Sequence, residues 1–409
     1  LMNSCVPLGG FVGTFLISFL SSMGNEKVIL LSIQLVGLAG SAFYFGAYLG
    51  SSNTCFTLSR FLHGFFAGGA MSFGIVTMFN LVPRGRHRIV SSTIQPLINL
   101  GILLSGFASL DYITKGIWIV TIFPLVVTQL IQTVIVVILP ESPISIFKRT
   151  RDSEKTVQAL RMIRDPKWNN YGELELIRKD AFNDESKTHV SMFEFLKVKD
   201  IRVPLLITIL VMVFQQFSGI NVVIMQASEF LKVFQFPNPD VAVVIMLSVG
   251  FVAATISAMV VSRVGTKFYS VLGYAIMSIG FIAAYVSDHY KYNKVGLGAI
   301  CVVLIGFNTG PGSLPWVIFK DTFEPKYQQA AQGILTSFSW VANLLIVSSF
   351  SAITRAINVS SMLIFGILCF IFAVILQLFM CETRNRSYNQ IIEDYQTFFW
   401  HRLIKSRSD

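Results

Sequence analysis

The chain has 409 residues, of which 53% are hydrophobic and 13% are charged, and its formal net charge is +10. A soluble domain carries about 25% charged residues, so the composition excludes an ordinary soluble protein and indicates an all-helical protein that crosses a membrane many times. Basic residues on one membrane face explain the positive charge, and we expect no nucleic-acid partner. The five cysteines and five histidines are scattered, which indicates neither a disulfide framework nor a metal site.

Eleven apolar segments of near-bilayer length follow one another along the chain. Five lie in its first part, at 4–22, 28–50, 57–80, 89–110 and 116–140. Six lie in its second part, at 203–226, 241–262, 268–287, 296–319, 330–353 and 361–381. The sequence therefore predicts an N-terminal transmembrane bundle over 1–140, a cytoplasmic helical linker over 141–202, a C-terminal transmembrane bundle over 203–381 and a cytoplasmic tail over 382–409.

Lys and Arg are distributed unequally between the two faces that these segments define. With 141–202 on the inner face and the loops alternating outward, 26 of the 32 Lys and Arg residues lie inside. The bias is present in the short loops as well as in the linker and the tail. The positive-inside rule therefore predicts a cytoplasmic C-terminus.

A faint internal repeat relates the two parts of the chain. Glu141 and Glu382, each just after an apolar segment, are 382 − 141 = 241 residues apart. Gly24 and Gly265, each in a short inner loop, are separated by the same 241 residues. This spacing predicts two parallel halves, and halves of this kind typically rock about a binding site at the middle of the membrane.

Uncharged polar residues interrupt the apolar helix predicted near 203–225. Gln215, Gln216 and Asn221 surround the pair Ser218 and Gly219. An amide in hydrocarbon costs several kcal/mol unless it is paired, so such a cluster is expected to face a bundle interior or a substrate path. Amides both donate and accept hydrogen bonds without carrying charge. The cluster therefore favours a small neutral polyhydroxyl substrate such as a hexose.

Several strings carry a resemblance to a known family. They are PESP at 140–143, QQFSGIN at 215–221, GPGSLPW at 310–316, Trp340 with Asn343, and ETRNR at 382–386. With them the chain resembles the sugar porter branch of the major facilitator superfamily, and within it the animal facilitative hexose transporters. The resemblance implies two six-helix bundles joined by a cytoplasmic helical loop. The eleven segments match its second to twelfth helices, so the first helix of twelve is expected to be missing.

The resemblance also implies which residues contact the substrate. These are Gln95, Gln215, Gln216, Asn221, Phe307, Trp316, Trp340 and Asn343. The indole of Trp316 would stack on the apolar face of a sugar while the amides bind its hydroxyl groups. In place of the glutamate that is frequent in helix ten of the family, this chain has Asn308.

A second set of residues is expected to act in conformational change. Gly219, Gly310, Pro311, Gly312 and Pro315 permit breaks in two helices, because glycine tolerates a bend and proline removes a backbone hydrogen bond. Charged residues at inner helix ends match latch positions of the family, and they are Glu141, Arg263, Lys267, Asp321, Glu382 and Arg386.

The resulting hypothesis is a hexose or polyol carrier that works by alternating access as a facilitative uniporter. It is expected to function as a monomer in the plasma membrane and without a cofactor. The alternatives are a proton-coupled sugar symporter, a sugar sensor that binds without transporting, and an inactive fragment. An enzyme is not expected, because no nucleophile–base set, phosphate loop or metal cluster is recognisable.

Overall fold

The structure is a computed structural model that describes residues 4–21, 25–182, 190–225, 227, 231, 238–261, 263–290, 292–357 and 360–397. The helices before the linker are α1 (Cys5–Leu20), α2 (Glu26–Gly50), α3 (Asn53–Gly69), α4 (Ile75–Leu81), α5 (His87–Ala108), α6 (Asp111–Thr114) and α7 (Phe123–Ile138). The linker helices are α8 (Pro143–Thr150), α9 (Ser153–Ile163), α10 (Asn170–Phe182) and α11 (Met192–Phe195).

The helices after the linker are α12 (Arg202–Phe217), α13 (Ile220–Met225), α14 (Pro239–Val260), α15 (Thr266–His289), α16 (Asn293–Thr309), α17 (Leu314–Thr322), α18 (Gln328–Ile357) and α19 (Ser360–Phe379). A last helix, α20, covers residues 388–397 of the tail. Ten helical segments in the described part are long and apolar enough to cross a membrane, and α1 is a shorter apolar helix. The predicted all-helical membrane fold is confirmed.

Short polar residues begin several of these helices. The side chain of Asn25 accepts a hydrogen bond from the backbone N–H of Lys27 at the start of α2 (2.9 Å). Ser142 does the same for Ser145 at the start of α8 (3.2 Å). Such caps satisfy N–H groups that have no partner within the helix. They let the chain turn within a few residues between a span and the next helix.

The helices form two groups, α1–α7 (the first half) and α12–α19 (the second half). In the first half α3 packs against α1 and α2, and α2 also packs against α7. In the second half α15 packs against α16 and α19, and α14 packs against α16. The contacts of α5 with α14 and of α1 with α18 are the most extensive ones between the halves. Any movement of one half relative to the other must therefore change the packing within these two helix pairs.

Glycines bring α1 and α3 into backbone contact. A Cβ added at Gly64 would overlap the carbonyl oxygen of Val6, and one added at Gly68 would overlap the carbonyl oxygen of Gly10. Gly64 and Gly68 are four residues apart, which is the spacing that small residues show at close helix–helix contacts in membranes. The α1–α3 pair is therefore held by van der Waals packing that has no room for a larger residue.

A π-helical turn, Ala70–Gly74, lies between α3 and α4. Single π turns interrupt the regular bonding ladder and are frequent at functional sites. Here the carbonyl oxygen of Met71 accepts a hydrogen bond from Nε2 of Gln332 in α18 (2.9 Å). This bond joins the first half to the second.

The linker has its own small apolar core, is attached to the first half, and packs its last helix, α11, against α18 of the second half. Its buried core consists of Phe147, Val157, Leu160, Leu174 and Ile177. Arg164 makes two bonds to the carboxylate of Glu173, at 2.9 and 2.6 Å, and donates a third to the carbonyl oxygen of Leu81 (2.6 Å). We call the membrane end at which these linker helices lie the linker end.

We predict that Gly64→Ala destabilises the protein. The added methyl group must push α1 away from α3, and overpacking of this kind typically costs about 1–3 kcal/mol. Thermal unfolding of the detergent-purified protein should show a lower Tm. The control is Gly46→Ala in α2, where an added Cβ meets no atom within 4 Å. Equal Tm values for the two variants would contradict the packing argument.

Candidate functional site

The span that contains the predicted amide cluster is broken at its centre. Helix α12 ends at Phe217, and α13 begins at Ile220. Between them Gly219 has φ +84°, a left-handed conformation that residues with side chains rarely adopt. The break turns α13 relative to α12. It thereby allows amides on both sides of Gly219 to approach one another.

Gln216 lies at the centre of an amide network. Its Oε1 accepts hydrogen bonds from Nδ2 of Asn221 (2.6 Å) and from Nδ2 of Asn343 in α18 (2.9 Å). Its Nε2 donates to the hydroxyl of Ser339 (2.9 Å) and to Oε1 of Gln215 (3.4 Å). The predicted substrate residues Gln215, Asn221 and Asn343 are therefore all hydrogen-bonded to Gln216. Ser339 was not predicted to belong to the site.

Gln215 connects this network to the second helix break. Helix α16 ends at Thr309 and α17 begins at Leu314, so the Gly-Pro-Gly string lies between two helices. Nε2 of Gln215 donates to the carbonyl oxygens of Pro311 (2.8 Å) and Gly312 (3.4 Å). These acceptors are released from the helical ladder by the break, and the amide of Gln215 supplies the missing donor. Pro315 lies in the first turn of α17, where a proline is tolerated.

Gln95 reaches the same place from the first half. A Cβ added at Gly312 would lie 3.1 Å from Cδ of Gln95 and 2.8 Å from Cε1 of Phe307. Gly312 is therefore closely covered by two predicted substrate residues, one from α5 and one from α16. Gly310 is packed too, because a Cβ there would lie 2.9 Å from the carbonyl oxygen of Ser270.

Of the two predicted tryptophans, Trp316 is buried and Trp340 is partly buried. Trp316 is 3% exposed and packs in an apolar cluster with Ile94 and Met212. The ring of Trp340 lies against Gly10 of α1, at a distance that leaves no space for a Cβ. Neither indole N–H has a hydrogen-bond partner among the described residues. Each is thus a buried donor with unused capacity.

Asn99 and Asn308 also belong to this region and were not predicted as site residues. Nε2 of Gln95 donates to Oδ1 of Asn99 (3.5 Å), and Nδ2 of Asn99 donates to Oδ1 of Asn308 (2.6 Å). Asn99 follows Gln95 by four residues and so lies on the same face of α5. That spacing is the signal that could have identified it.

The predicted latch residues at the linker end have different partners. Asp321 forms an ion pair with Arg88 of the first half (3.1 Å) and accepts a hydrogen bond from Thr383 (3.3 Å). Arg88 was not predicted. Glu141 instead pairs with Arg149 inside the linker, and Arg386 pairs with Asp394 of the tail. Of these three pairs, the one made by Asp321 joins the two halves.

Glu382 acts as a helix cap. Its carboxylate accepts hydrogen bonds from the backbone N–H groups of Thr266 (2.8 Å) and Lys267 (3.2 Å) and from the hydroxyl of Thr266 (2.6 Å). A Cβ added at Gly265 would lie 2.5 Å from Oε2 of Glu382. The predicted latch residues Glu382 and Lys267 therefore meet at the start of α15. The carbonyl oxygen of Arg263, just before it, accepts from Arg384.

The fold and the site together define a polytopic membrane carrier of the major facilitator type, with uncharged amides meeting at two helix breaks. The chain belongs to the Sugar (and other) transporter family, whose sequence model matches residues 1–395. The proteins of this family are transporters and not enzymes. The resemblance to the sugar porters that the sequence indicated is confirmed.

Curated relatives are facilitated glucose transporters of solute carrier family 2. Member 3 from Ovis aries is 23% identical over 95% of this chain and 80% of that protein. Member 4 from Homo sapiens is 25% identical over 94% of this chain and 77% of that protein. Member 7 from Mus musculus is 24% identical over 95% and 77%.

Solved structures confirm the major facilitator fold. The proton:xylose symporter XylE bound to 6-bromo-6-deoxy-D-glucose superposes with a TM-score of 0.78 at 17% identity and covers 96% of this chain and 88% of that one. The xylose transporter XylE from E. coli in a partially occluded inward-open conformation gives a TM-score of 0.76 at 18% identity, over 94% and 87%.

We predict that the cap made by Glu382 stabilises the protein in a pH-dependent way. Burial alone would raise the pKa of Glu382, but its hydrogen bonds from Thr266, Arg384 and Lys267 outweigh burial and lower the pKa below its usual 4.5. A lowered pKa means that the stabilisation is complete above about pH 4.5. It is lost as the pH falls through the lower value of the folded state.

Glu382→Gln should therefore reduce the free energy of unfolding at neutral pH by about 0.3–1 kcal/mol. The reduction should appear as a lower Tm. The difference from the unmodified protein should shrink as the pH falls below 4.5. The control is Glu393→Gln, which removes an exposed carboxylate from α20. A difference between Glu382→Gln and the unmodified protein that persists at low pH would show that the charge does not act as a cap.

Proposed function

We propose that this protein carries a hexose or a related polyol across the membrane by alternating access, as a facilitative uniporter. The observation that carries the proposal is the network around Gln216, in which amides from α12, α13 and α18 converge. Gln95 and Phe307 meet beside it at Gly312, so groups of both halves contribute. We assign substrate contact to eight residues, which are Gln95, Gln215, Gln216, Asn221, Phe307, Trp316, Trp340 and Asn343.

The chemistry of this set suits a neutral polyhydroxyl substrate. Each amide offers both donors and acceptors, and the two indole N–H groups add donors. A neutral hydrogen bond contributes about 0.5–1.5 kcal/mol, so four to six of them, less the cost of ordering, give binding near about −4 kcal/mol. That corresponds to a dissociation constant in the millimolar range. A carrier benefits from weak binding because it must also release its substrate.

The contacts within the network support weak binding in a second way. Oε1 of Gln216 is already bonded to Asn221 and Asn343. A sugar hydroxyl that bonds to Gln216 must replace one of these amide partners. The binding free energy is then the difference between two hydrogen bonds, and it does not include the full desolvation penalty of an unpaired amide.

The relatives support a hexose and leave the coupling open. The curated relatives from Ovis aries and Homo sapiens are facilitated glucose transporters by name, which supports a hexose and a uniport mechanism. One structural neighbour is a proton:xylose symporter, which makes proton coupling the second candidate. An uncharged site favours uniport, because amides and indoles do not gain or lose protons in the physiological pH range.

We further propose that the halves are two domains, 1–140 and 203–381, joined by a cytoplasmic linker over 141–202 and followed by a cytoplasmic tail over 382–409. The linker end would then face the cytoplasm of a cell whose plasma membrane holds the protein as a monomer. Rocking of the halves about the site would open each end in turn. The breaks at Gly219 and at Gly310 to Gly312, with Pro315, are the places at which helices can bend.

Uptake by proteoliposomes tests the proposed substrate and site. We expect saturable entry of labelled hexose for the unmodified protein. Gln216→Leu removes four hydrogen bonds of the network and should lower kcat/KM by roughly 10-fold or more, since each bond contributes about 0.5–1.5 kcal/mol. The measurement is initial uptake rate against hexose concentration.

The matched control for this experiment is Gln129→Leu. Gln129 is a fully buried glutamine of α7, and it accepts a hydrogen bond from Ser41 within the first half (2.9 Å). Its loss should leave the KM unchanged, even if the Tm falls. Equal effects of Gln129→Leu and Gln216→Leu would argue against the site. Hexose accumulation driven by an imposed proton gradient would show that the protein is a symporter and not a uniporter. Saturable hexose binding without flux would indicate a sensor.

We also expect the ion pair between Arg88 and Asp321 to hold the linker end closed. A contact that joins the two halves in one state must break when they separate, so it biases the balance between the states. The pair is partly buried, with side chains that are 20% and 17% exposed. Losing either partner should reduce the fraction of protein that is open to outside substrate, and the apparent KM for entry should rise roughly 2- to 10-fold.

A double-mutant cycle measures this contribution. Arg88→Ala and Asp321→Ala should each raise the KM for entry, and the double variant should resemble the single ones, because the same bond is lost once. Glu141→Ala is the control, since Glu141 pairs with Arg149 inside the linker and not between the halves. Additive effects of Arg88→Ala and Asp321→Ala would show that the pair does not act as a latch.

A further inference from the structure

Asn99 connects the two halves beside the proposed substrate site. It lies on α5, the helix that carries Gln95, and it is 8% exposed. Its Nδ2 donates to Oδ1 of Asn308 in α16 (2.6 Å) and to the carbonyl oxygen of Gly250 in α14 (3.2 Å). One buried amide of the first half thus bonds to two different helices of the second.

The partner Asn308 is held just as firmly. It is 1% exposed, and its Nδ2 donates to the carbonyl oxygen of Leu304 (2.9 Å). The backbone carbonyl oxygen of Asn308 accepts a hydrogen bond from the hydroxyl of Ser313 (2.9 Å), across the Gly-Pro-Gly break. With Nε2 of Gln95 donating to Oδ1 of Asn99 (3.5 Å), the bonds form a chain from Gln95 through Asn99 to Asn308.

We propose that Asn99 is a positioning residue for substrate binding: it orients the amide of Gln95 and, across the boundary between the halves, holds Asn308 next to the Gly-Pro-Gly break. This inference rests on the proposed carrier function. Asn99 does not itself contact the substrate in this proposal. It acts through the orientation of Gln95, whose Nε2 donates to Oδ1 of Asn99.

The alternative is that Asn99 only holds helices together, as polar residues often do in membranes. Two features of the geometry favour a positioning role. The oxygen of Asn99 faces a predicted substrate residue, and its nitrogen reaches α16 a few residues before the break at Gly310 to Gly312. A purely structural bond would change the stability of the protein. A positioning bond must also change the apparent affinity for substrate.

The test uses the full chain in proteoliposomes with labelled hexose. Asn99→Leu removes the amide at nearly the same volume and should raise the KM by roughly 2- to 12-fold, the equivalent of one net hydrogen bond, with the maximal rate within about twofold of the unmodified protein. Asn308→Leu should do the same. Because both variants lose one shared bond, the double variant should have a KM close to that of the single ones.

A conservative variant separates this bond from general packing. Asn308→Gln keeps an amide whose oxygen can accept from Nδ2 of Asn99 and adds no charge, and it should restore most of the affinity that Asn308→Leu loses. Gln129→Leu is the control for loss of a buried amide in the first half outside the site. A lower Tm with an unchanged KM for Asn99→Leu, or additive effects of Asn99→Leu and Asn308→Leu on the KM, would overturn the proposal.

The outcome for the unmodified protein separates the two proposals. Saturable hexose uptake by the unmodified protein together with an unchanged KM for Asn99→Leu would leave the carrier function intact and refute the role of Asn99. If the unmodified protein shows neither uptake nor a hexose-induced rise of its Tm in detergent, the carrier function and the positioning role both fail. A hexose-induced rise of the Tm without uptake still tests Asn99, because Asn99→Leu must then weaken that rise.

Discussion

Backbone acceptors at the Gly-Pro-Gly break must be satisfied without water, and the rest of the site depends on how this is done. In the hydrocarbon region each unpaired polar group costs several kcal/mol, so irregular backbone is tolerated only where protein buries it or where it lines a water-filled cavity. The amide of Gln215 donates to the carbonyl oxygens of both Pro311 and Gly312. The two broken spans, α12–α13 and α16–α17, therefore stabilise each other: the side chain of one satisfies the backbone of the other.

That arrangement explains why the neighbouring polar residues are amides. With Gln215 committed to the backbone, its neighbour Gln216 turns toward α18 and gathers Asn221, Asn343 and Ser339. Charged side chains at the same depth would each need a counter-charge, whereas amides can pair with one another. The site is thus polar enough to recognise hydroxyl groups and neutral enough to exist inside a bilayer.

The contacts between the halves differ in kind from those within them. Within the first half, α1 and α3 meet backbone to backbone at Gly64 and Gly68, a contact that no small shift can preserve. Between the halves the bonds named above are polar ones: Arg88 with Asp321, Gln332 with Met71, and Asn99 with both Asn308 and Gly250. Each contributes little net free energy, because it can be exchanged for other polar partners. The halves thus meet through helix packing at α5 with α14 and α1 with α18 and through these few polar bonds, which can be exchanged during a rocking movement.

The sequence predicted the spans and the breaks well, because segment length, glycine and proline act locally. It did not predict which polar residues pair across the halves. Hydropathy does not specify the rotation of a helix about its axis, and that rotation decides whether Arg88 or another basic residue faces Asp321. Glu382 was predicted as a latch, yet it accepts bonds at the start of α15, because Gly265 has no side chain and lets the carboxylate approach. Asn99 was missed although it follows Gln95 by four residues, because that spacing places both on one face of α5 without showing which helices the face meets.

A uniporter must change the side to which its site is open when the site is empty as well as when it is loaded. The hydrogen bonds among the amides affect the change of the empty site. If the substrate groups were satisfied only by sugar, the empty site would bury unpaired amides whenever both ends closed, and each would add a penalty of about 1–3 kcal/mol to that state. In this structure Gln216 is bonded to Asn221, Asn343 and Ser339 by the protein alone. The proposed site can therefore close without substrate, and a sugar bound there would compete with bonds that already exist. The same exchange that weakens affinity thus permits the return of the unloaded carrier.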